Sequence, residues 1–328
     1  MGEDRPLYLS NDVVKQLLDM RTAIRLAEEI LLAMARGQVV WAEPKQFMLH
    51  VPGTHTKFKL KGCAFLDRRV AGFRVTGLNR TDAGVQVARE RPTKYVLLSD
   101  PESGAFRAII EEEWSYAART AAAVGVAARY LARPESRVVG ILGAGYMARV
   151  CLQALHEVLR LEEARVVSAR RETRERFARE MGAELGLRVL PCDDPHDVVK
   201  GADVLVTAST AATPLVFEPW LEPGIFIYSL GEYQEIETKA YRACTKLIVD
   251  DWELCQLKVD IATMVREGTL NEADVYAHLH EIVAGQKPGR ETREERIFVR
   301  SQGLTTQDVG FAHWLYEQAR ARGLGTPL

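Results

Sequence analysis

The segment Gly140–Ala148 constrains the fold of this chain more than any other part of the sequence. It reads Gly-Ile-Leu-Gly-Ala-Gly-Tyr-Met-Ala and joins a short apolar stretch to a stretch with helical spacing. Gly143 permits a tight turn, Gly145 lets the backbone approach a pyrophosphate, and Ala148 allows close packing of helix and sheet. The free N–H groups of the first helical turn would bind the anion. The pattern predicts a dinucleotide-binding turn whose cofactor contacts are Gly143, Gly145, Tyr146, Met147 and Ala148.

Strands separated by helices or loops continue the pattern that begins at this turn. The sequence predicts strands at 137–142, 164–168, 188–190, 203–207, 225–229 and 247–250, and helices at 146–159 and 172–185. Parallel strands need a crossover connection, so this alternation indicates a parallel sheet. We therefore predict an α/β protein with a Rossmann-type domain over residues 126–303.

The rest of the chain mixes helices with short β-rich stretches. Helices are predicted at 13–35, with Asn11 as the N-cap, and at 114–131, 272–284 and 306–322; the β-rich stretches are 47–51, 70–76 and 95–98. A chain of 328 residues usually forms two domains. We expect the last helix to pack on the N-terminal domain. That domain would then be a discontinuous α+β unit, residues 1–125 completed by about 304–328.

The charge balance and the cysteines exclude several classes of function. There are 43 Lys and Arg against 45 Asp and Glu, and a net charge of -2 gives no electrostatic basis for binding nucleic acid or an anionic membrane. No apolar run of about 18 residues predicts a membrane span. The first residues do not resemble a signal peptide, and the five cysteines are scattered without a CxxC pair. We expect a cytoplasmic protein without a metal site.

The end of the second predicted strand distinguishes the two nicotinamide dinucleotides. An NAD-preferring domain usually has an acid there that binds the ribose 2′-hydroxyl. Here Ser168 is followed by Ala169, Arg170 and Arg171, with no acid at the tip. Guanidinium groups suit a 2′-phosphate, so the sequence favours NADP(H) over NAD(H). The alternative is a solvated, charged helix start.

Thr207, Ala208 and Ser209 follow the fourth strand of the predicted sheet. Ligands bind at the carboxyl edge of open parallel sheets. Small hydroxyl residues at this edge would face the nicotinamide half of the cofactor. An ordinary polar turn is the alternative interpretation.

Several motifs together resemble the ornithine cyclodeaminase/μ-crystallin family over nearly the whole chain. They are Arg119–Ala123, Gly140–Ala148, Leu247–Asp251, Glu281–Gly285 with Pro288–Arg290, and Ser301–Leu304 followed by Gln307–Val309. The resemblance implies hydride exchange with a bound nicotinamide, acting on amino acids or imines or cyclising diamino acids. It also implies a homodimer joined through the N-terminal, substrate-binding domain.

The resemblance assigns roles to three charged residues. Arg119 matches the family arginine that grips the substrate carboxylate, a group that a guanidinium binds in a bidentate way. Lys45 matches a second carboxylate-binding position, and Asp308 matches an acid close to the cofactor. Each role has an alternative. Arg119 would form a salt bridge at a helix start, Lys45 would be a solvated surface lysine, and Asp308 would be an acid near the N-terminal end of a helix dipole.

Two positions depart from the family pattern. The family's catalytic lysine is replaced by Arg74, which stays protonated and cannot exchange a proton near pH 7. Arg74 would then hold a carboxylate or polarise the substrate, and the proton would come from Lys61, His55 or water. The family's acid after the fifth strand is best matched by Glu232, or by Tyr233 if the register shifts by one residue.

Lys57, Lys59 and Lys61 alternate at strand spacing, which places them on one face that either lines the pocket or is solvated.

These features favour an NADP(H)-dependent oxidoreductase that acts on the C–N bond of a small amino or imino acid. Arg119, with Lys45 or Arg74, would hold the carboxylate, and Glu232 would stabilise the iminium. One alternative is a cyclodeaminase, a lyase that recycles a bound NAD within each turnover. Another is a catalytically weak, NADPH-binding protein that resembles μ-crystallin, a possibility raised by Arg74.

Overall fold

The computed structural model describes residues 5–79 and 93–328. Two compact units are present: one comprises Met1–Arg119 and Leu304–Leu328, and the other comprises Thr120–Gly303. The first boundary lies inside a long helix, Trp114–Leu131, which begins in one unit and ends in the other.

The strands and helices are numbered along the chain. The strands are β1 (Leu7–Leu9), β2 (Val39–Trp41), β3 (Phe47–His50), β4 (Thr56–Phe65), β5 (Val70–Asn79), β6 (Lys94–Ser99), β7 (Phe106–Glu111), β8 (Val138–Leu142), β9 (Glu163–Val167), β10 (Arg188–Pro191), β11 (Val204–Thr207), β12 (Phe226–Ser229), β13 (Lys246–Val249), β14 (Ala277–His278), β15 (Ile297–Arg300) and β16 (Thr326–Pro327). The helices are α1 (Asn11–Leu17), α2 (Met20–Ala35), α3 (Trp114–Leu131), α4 (Tyr146–Val158), α5 (Arg171–Leu185), α6 (Pro195–Val199), α7 (Thr238–Arg242), α8 (Trp252–Cys255), α9 (Val259–Arg266), α10 (Leu279–Val283) and α11 (Thr305–Arg322).

The first unit is built on a mostly antiparallel sheet with the order β16-β1-β7-β6-β5-β4-β2, and β3 also pairs with β4. Helix α11 packs on β4, β5 and β6 and on helix α2. Two glycines make this packing close. A Cβ at Gly72 on β5 would lie 2.8 Å from the side chain of Val309, and one at Gly310 would lie 2.6 Å from that of Ile30. The C-terminal helix therefore belongs to the core of the N-terminal unit.

The second unit is a parallel sheet with the order β10-β9-β8-β11-β12-β15-β13-β14. All of its strand pairs are parallel. The chain runs from β8 outward through β9 and β10, and then returns to β11 on the opposite side of β8. Such a reversal of strand order opens a crevice at the carboxyl edge, where ligands bind in this class of fold. The predicted Rossmann-type sheet is confirmed.

Two predicted helices and one predicted N-cap were wrong in detail. The helix predicted at 13–35 is two helices, because Asp19 adopts an extended conformation and caps α2 by accepting a hydrogen bond from the Thr22 N–H at 2.8 Å. The N-cap of α1 is Ser10, and Asn11 instead accepts a hydrogen bond from the Trp114 N–H at 2.8 Å. The helix predicted at 272–284 is replaced by a short 3₁₀ turn, the strand β14 and the helix α10, because β14 pairs with β13.

Candidate functional site

The turn between β8 and α4 requires glycine at position 143. Gly143 has φ +103°, in the region that side chains disfavour, and its N–H donates to the Val167 carbonyl at 2.9 Å. A Cβ at this position would lie 2.6 Å from the Ala208 carbonyl oxygen. The turn after β8 therefore lies directly against the turn after β11, at the switch point of the sheet.

Gly145 differs from Gly143 because the space beside it is open. It is the N-cap of α4 and makes no side-chain capping bond, and a Cβ placed on it would meet no atom within 4 Å. Tyr146 is exposed, Met147 is half-buried, and Ala148 is buried against the sheet. Uncapped N–H groups at a helix start, with free space beside a glycine, fit the diphosphate of a dinucleotide.

The end of β9 carries two exposed arginines. Arg170 is exposed and extended, and its carbonyl accepts a hydrogen bond from the Ser168 hydroxyl at 3.0 Å. Arg171 is exposed, and its Nε lies 2.7 Å from Glu175 Oε1. Arg174 is instead buried and donates to the Ser168 carbonyl at 2.9 Å. Arg170 and Arg171 are thus exposed at the carboxyl end of β9, the part of the sheet that contacts the ribose of a dinucleotide in this class of fold.

A buried carboxyl group supports the turn after β11. The Ser209 N–H donates to Glu235 Oε1 at 2.6 Å, and the Thr207 hydroxyl donates to that of Ser229 at 3.0 Å. Glu235 is 1% exposed, and burial raises the pKa of its carboxyl group. The sequence analysis missed Glu235, since nothing in the local sequence distinguishes it from the other acids of this segment. Its position shows that the edge near residues 207–209 is fixed by a hydrogen bond from the backbone.

Glu232, the predicted acid after β12, lies on the surface of the second unit. Its side chain is 46% exposed, and Oε2 lies 3.1 Å from the Nζ atom of Lys258. Lys258 is buried and also donates to the Leu230 carbonyl at 3.3 Å. Lysine thus orients this carboxylate, while Tyr233, the other candidate of this segment, is half-buried. The catalytic role of Glu232 stays a prediction.

The first unit contains a buried group of charged side chains, which we call the charge cluster: Lys61, Arg74, Glu112, Arg119 and Asp308. Arg119 Nε lies 2.8 Å from Asp308 Oδ1, and Arg74 Nε lies 3.6 Å from Asp308 Oδ2. Arg74 Nε also donates to Glu112. Five different elements or their ends supply these residues, so only the tertiary fold assembles them.

An aromatic ring and two carboxyl groups stabilise the positive charges of the arginines in the cluster. The guanidinium carbons of Arg74 and Arg119 lie 5.0 and 4.8 Å from the centre of the Tyr116 ring, within the range of a cation–π contact. Burial raises the pKa of Glu112 to about 8, whereas the pKa of Asp308 is lowered, against the effect of burial, by Arg119 and Arg74. Asp308 therefore carries the negative charge that faces the arginines, and Glu112 holds a proton near neutral pH.

The structure brings together Arg74, Arg119 and Asp308 of the predicted site residues. Asp308, predicted to lie near the cofactor, contacts the two arginines. Lys45 lies in the loop between β2 and β3, where its Nζ atom is 5.4 Å from the centre of the Trp41 ring. Sequence reasoning missed Glu112 because it lies in the run Glu111–Glu113, which has the pattern of a solvated segment. It is nevertheless 1% exposed.

The described residues, 5–79 and 93–328, also bear on metal binding and on membrane insertion. Within these ranges, no three or more His, Cys, Asp or Glu side chains are grouped so that they could hold a metal ion. The same part of the chain has no helix with the length and apolar character that crossing a bilayer requires. All five cysteines are free thiols.

Comparison with known proteins places these features in a family. A model of the Ornithine cyclodeaminase/mu-crystallin family matches residues 5–323 and confirms the resemblance found in the motifs. The alanine dehydrogenase of Archaeoglobus fulgidus is 28% identical over 98% of each chain. The structure of Thermococcus litoralis Delta(1)-pyrroline-2-carboxylate reductase in complex with NADH and L-proline is 31% identical, with a TM-score of 0.90 over 98% of this chain and 100% of that one. An archaeal alanine dehydrogenase dimer with bound NAD is 28% identical, with a TM-score of 0.89 over 99% of each chain.

The charge cluster predicts a strong effect on stability. Asp308→Asn should destabilise the protein by about 3–5 kcal/mol, because it removes the negative charge between two buried arginines. The free energy of unfolding in urea measures this effect. The control is Glu102→Gln, which removes one partner of an exposed pair with Arg69 and should leave the midpoint unchanged. Equal midpoints for D308N and the wild-type protein would contradict the assignment of Asp308 as the counter-charge.

Proposed function

Since the chain belongs to the ornithine cyclodeaminase/mu-crystallin family, we propose that it is an oxidoreductase that exchanges a hydride between a nicotinamide dinucleotide and the C–N bond of a small amino or imino acid. The observation that carries this proposal is the turn at Gly143 and Gly145, where an open, uncapped helix start lies at the switch point of a parallel sheet. The similar structures that contain NADH with L-proline, or NAD, support the same proposed function.

The bound dinucleotide supplies or accepts the hydride, and the protein holds and orients the substrate. Arg119 presents Nε to Asp308, and its two terminal nitrogens would supply the fork that grips a carboxylate. Arg74 and Lys45 add positive charge for the same group. Glu232, oriented by Lys258, would stabilise the positive charge of an iminium. These roles leave one requirement open, which is the source of the proton.

The open space beside Gly145 makes the cofactor assignment testable. Gly145→Val should lower the affinity for the dinucleotide by at least about 10-fold, about 1.4 kcal/mol, because the side chain would occupy the space of the diphosphate. Fluorescence titrations with NADPH and NADH measure this change, and a circular dichroism melt checks the fold. Unchanged affinity in G145V would remove the basis of the proposed function.

A turnover screen then tests the reaction itself. Wild-type protein should consume NADPH in proportion to product when it is given cyclic imino acids, or 2-oxo acids with amines. Release of ammonia from a diamino acid without a net change in cofactor absorbance would instead identify a cyclodeaminase. Tight NADPH binding without any turnover would identify a binding protein.

We also propose that the enzyme prefers NADP(H) over NAD(H). Arg170 and Arg171 are exposed at the end of β9, and the residues from Ser168 to Arg171 contain no acid that would repel a 2′-phosphate. Arg171 is partly engaged by Glu175, which makes Arg170 the principal contact in this proposal.

Arg170→Ala should weaken NADPH binding by about 10-fold, since the variant loses a charge-assisted contact of about 1.4 kcal/mol, and should leave NADH binding unchanged. Isothermal titration with both dinucleotides measures the ratio. The matched control is Arg179→Ala, an exposed arginine on the same helix. An equal loss of affinity for both dinucleotides, or no loss, would contradict the preference.

We propose that the active form is a homodimer joined through the first unit. Residues directly opposite each other in antiparallel strands share one face of the sheet. Pairing places Phe47 opposite Leu60 and Phe73 opposite Gly62, so these apolar residues share the face away from the charge cluster. The exposed members of this apolar face are Val40, Phe47, Leu49, Leu60 and Phe73. Exposed apolar area of this kind marks an interaction surface.

Phe73→Lys should convert the dimer to a monomer, because a lysine charge would be buried without a partner in the interface. The dissociation constant should rise by at least about 100-fold, roughly 2.7 kcal/mol. Light scattering after size-exclusion chromatography measures the mass. Leu257→Lys, at an exposed leucine of the second unit, is the control. A dimeric F73K variant, or a monomeric wild-type protein, would contradict this interface.

A further inference from the structure

Lys61 lies beside Arg74 in the charge cluster. It is on β4, directly opposite Arg74 on β5, so the two side chains point to the same face of the sheet. Lys61 is 6% exposed, and it interacts electrostatically with Arg74, Arg119 and Asp308. A lysine on β4 therefore lies among the arginines proposed to hold the substrate, of which Arg74 is on β5 and Arg119 is on α3.

Reduction of a C=N bond needs a proton as well as a hydride. Arg74 and Arg119 stay protonated and cannot supply this proton. Asp308 is ionised between them, and the proton of Glu112 is engaged in a side-chain hydrogen bond with Asp308. His55 is exposed and precedes Lys61 by six residues, which corresponds to about 20 Å along an extended chain. Lys61 is thus the ammonium group of the cluster that can both give and regain a proton.

We propose that Lys61 is the proton donor in imine reduction and the proton acceptor in the reverse oxidation. This inference rests on the proposed function. In the reductive direction, Lys61 Nζ first gives a proton to the imine nitrogen, and the resulting neutral lysine amine regains a proton from water. The hydride then forms a C–H bond at the carbon of this iminium, and the π electron pair moves to nitrogen, which gives the neutral amine product. The dinucleotide is oxidised and the imine is reduced, so the proton and electrons balance.

The surroundings of Lys61 bring the pKa of its ammonium group into the range that suits proton transfer near neutral pH. Burial, together with the nearby charges of Lys59, Arg74 and Arg119, lowers the pKa of Lys61 to about 7, although Asp308 acts in the opposite direction. A donor and acceptor works best when its pKa lies close to the working pH. The donor must be protonated in the reductive direction, so the rate of reduction should fall as the pH rises above about 7, and the rate of oxidation should rise over the same range.

The test compares Lys61→Arg with the wild-type enzyme. The variant keeps the positive charge and loses the transferable proton, so kcat for imine reduction should fall by at least about 100-fold. Its affinity for NADPH should stay within about 2-fold of the wild-type value, because Lys61 belongs to the substrate side of the proposal. The fall in rate above about pH 7 should also disappear, a change that a purely structural role would not produce.

Two further variants keep the test decisive. Lys61→Met removes the charge and should lose the same step in the pH profile, which covers the case in which arginine does not fit. Lys57→Met is the matched control, since Lys57 is exposed on the same face of the same strand and should keep wild-type rates. A K61R enzyme that reduces imines at the wild-type rate with the same pH profile would overturn the role of Lys61 and leave the proposed function intact. NADPH binding without turnover in the wild-type protein would overturn both.

Discussion

The carboxyl edge of the parallel sheet, where we propose that the dinucleotide binds, depends on one close backbone contact between Gly143 and the carbonyl oxygen of Ala208. A Cβ at position 143 would lie 2.6 Å from that oxygen, and the φ of +103° also favours glycine. Because the strand order reverses between β8 and β11, this contact lies at the switch point of the sheet. Glu235 fixes the turn that carries Ala208 by accepting the Ser209 N–H. The edge is therefore ordered by hydrogen bonds and packing within the chain.

The charge cluster of the first unit depends on compensation between buried charges of opposite sign. Transfer of charged groups from water to a protein interior is costly, and it is tolerated when opposite charges and hydrogen bonds compensate. Asp308 on α11 faces Arg119 on α3 and Arg74 on β5, and Glu112 accepts from Arg74. The C-terminal helix thus carries the counter-charge for residues far away in the sequence. Because α11 carries Asp308, the packing of this helix on the sheet also brings the counter-charge to the arginines.

The sheet of the first unit separates two kinds of chemistry by the alternation of its strands. Lys61 and Arg74 point to the face that holds the charge cluster, whereas Leu60 and Phe73 point to the opposite, exposed apolar face. Successive side chains on a strand alternate between faces, so a shift of one residue in register would exchange them. The pairing of β4 with β5 therefore positions both the proposed proton donor and the proposed dimer surface.

The sequence alone determined the glycine turn at residues 140–148 and most strands of the parallel sheet, because these features depend on local constraints: glycine conformation, short apolar runs and helical periodicity. It also carried the family motifs. Only the tertiary structure decided that β15 lies between β12 and β13, since a short buried strand has no periodicity of its own and is defined by its neighbours. The same holds for Glu112 and Glu235, which look like surface acids in the sequence and are buried in the fold. Their environment comes from residues distant in the chain, and burial together with those charges sets their chemistry.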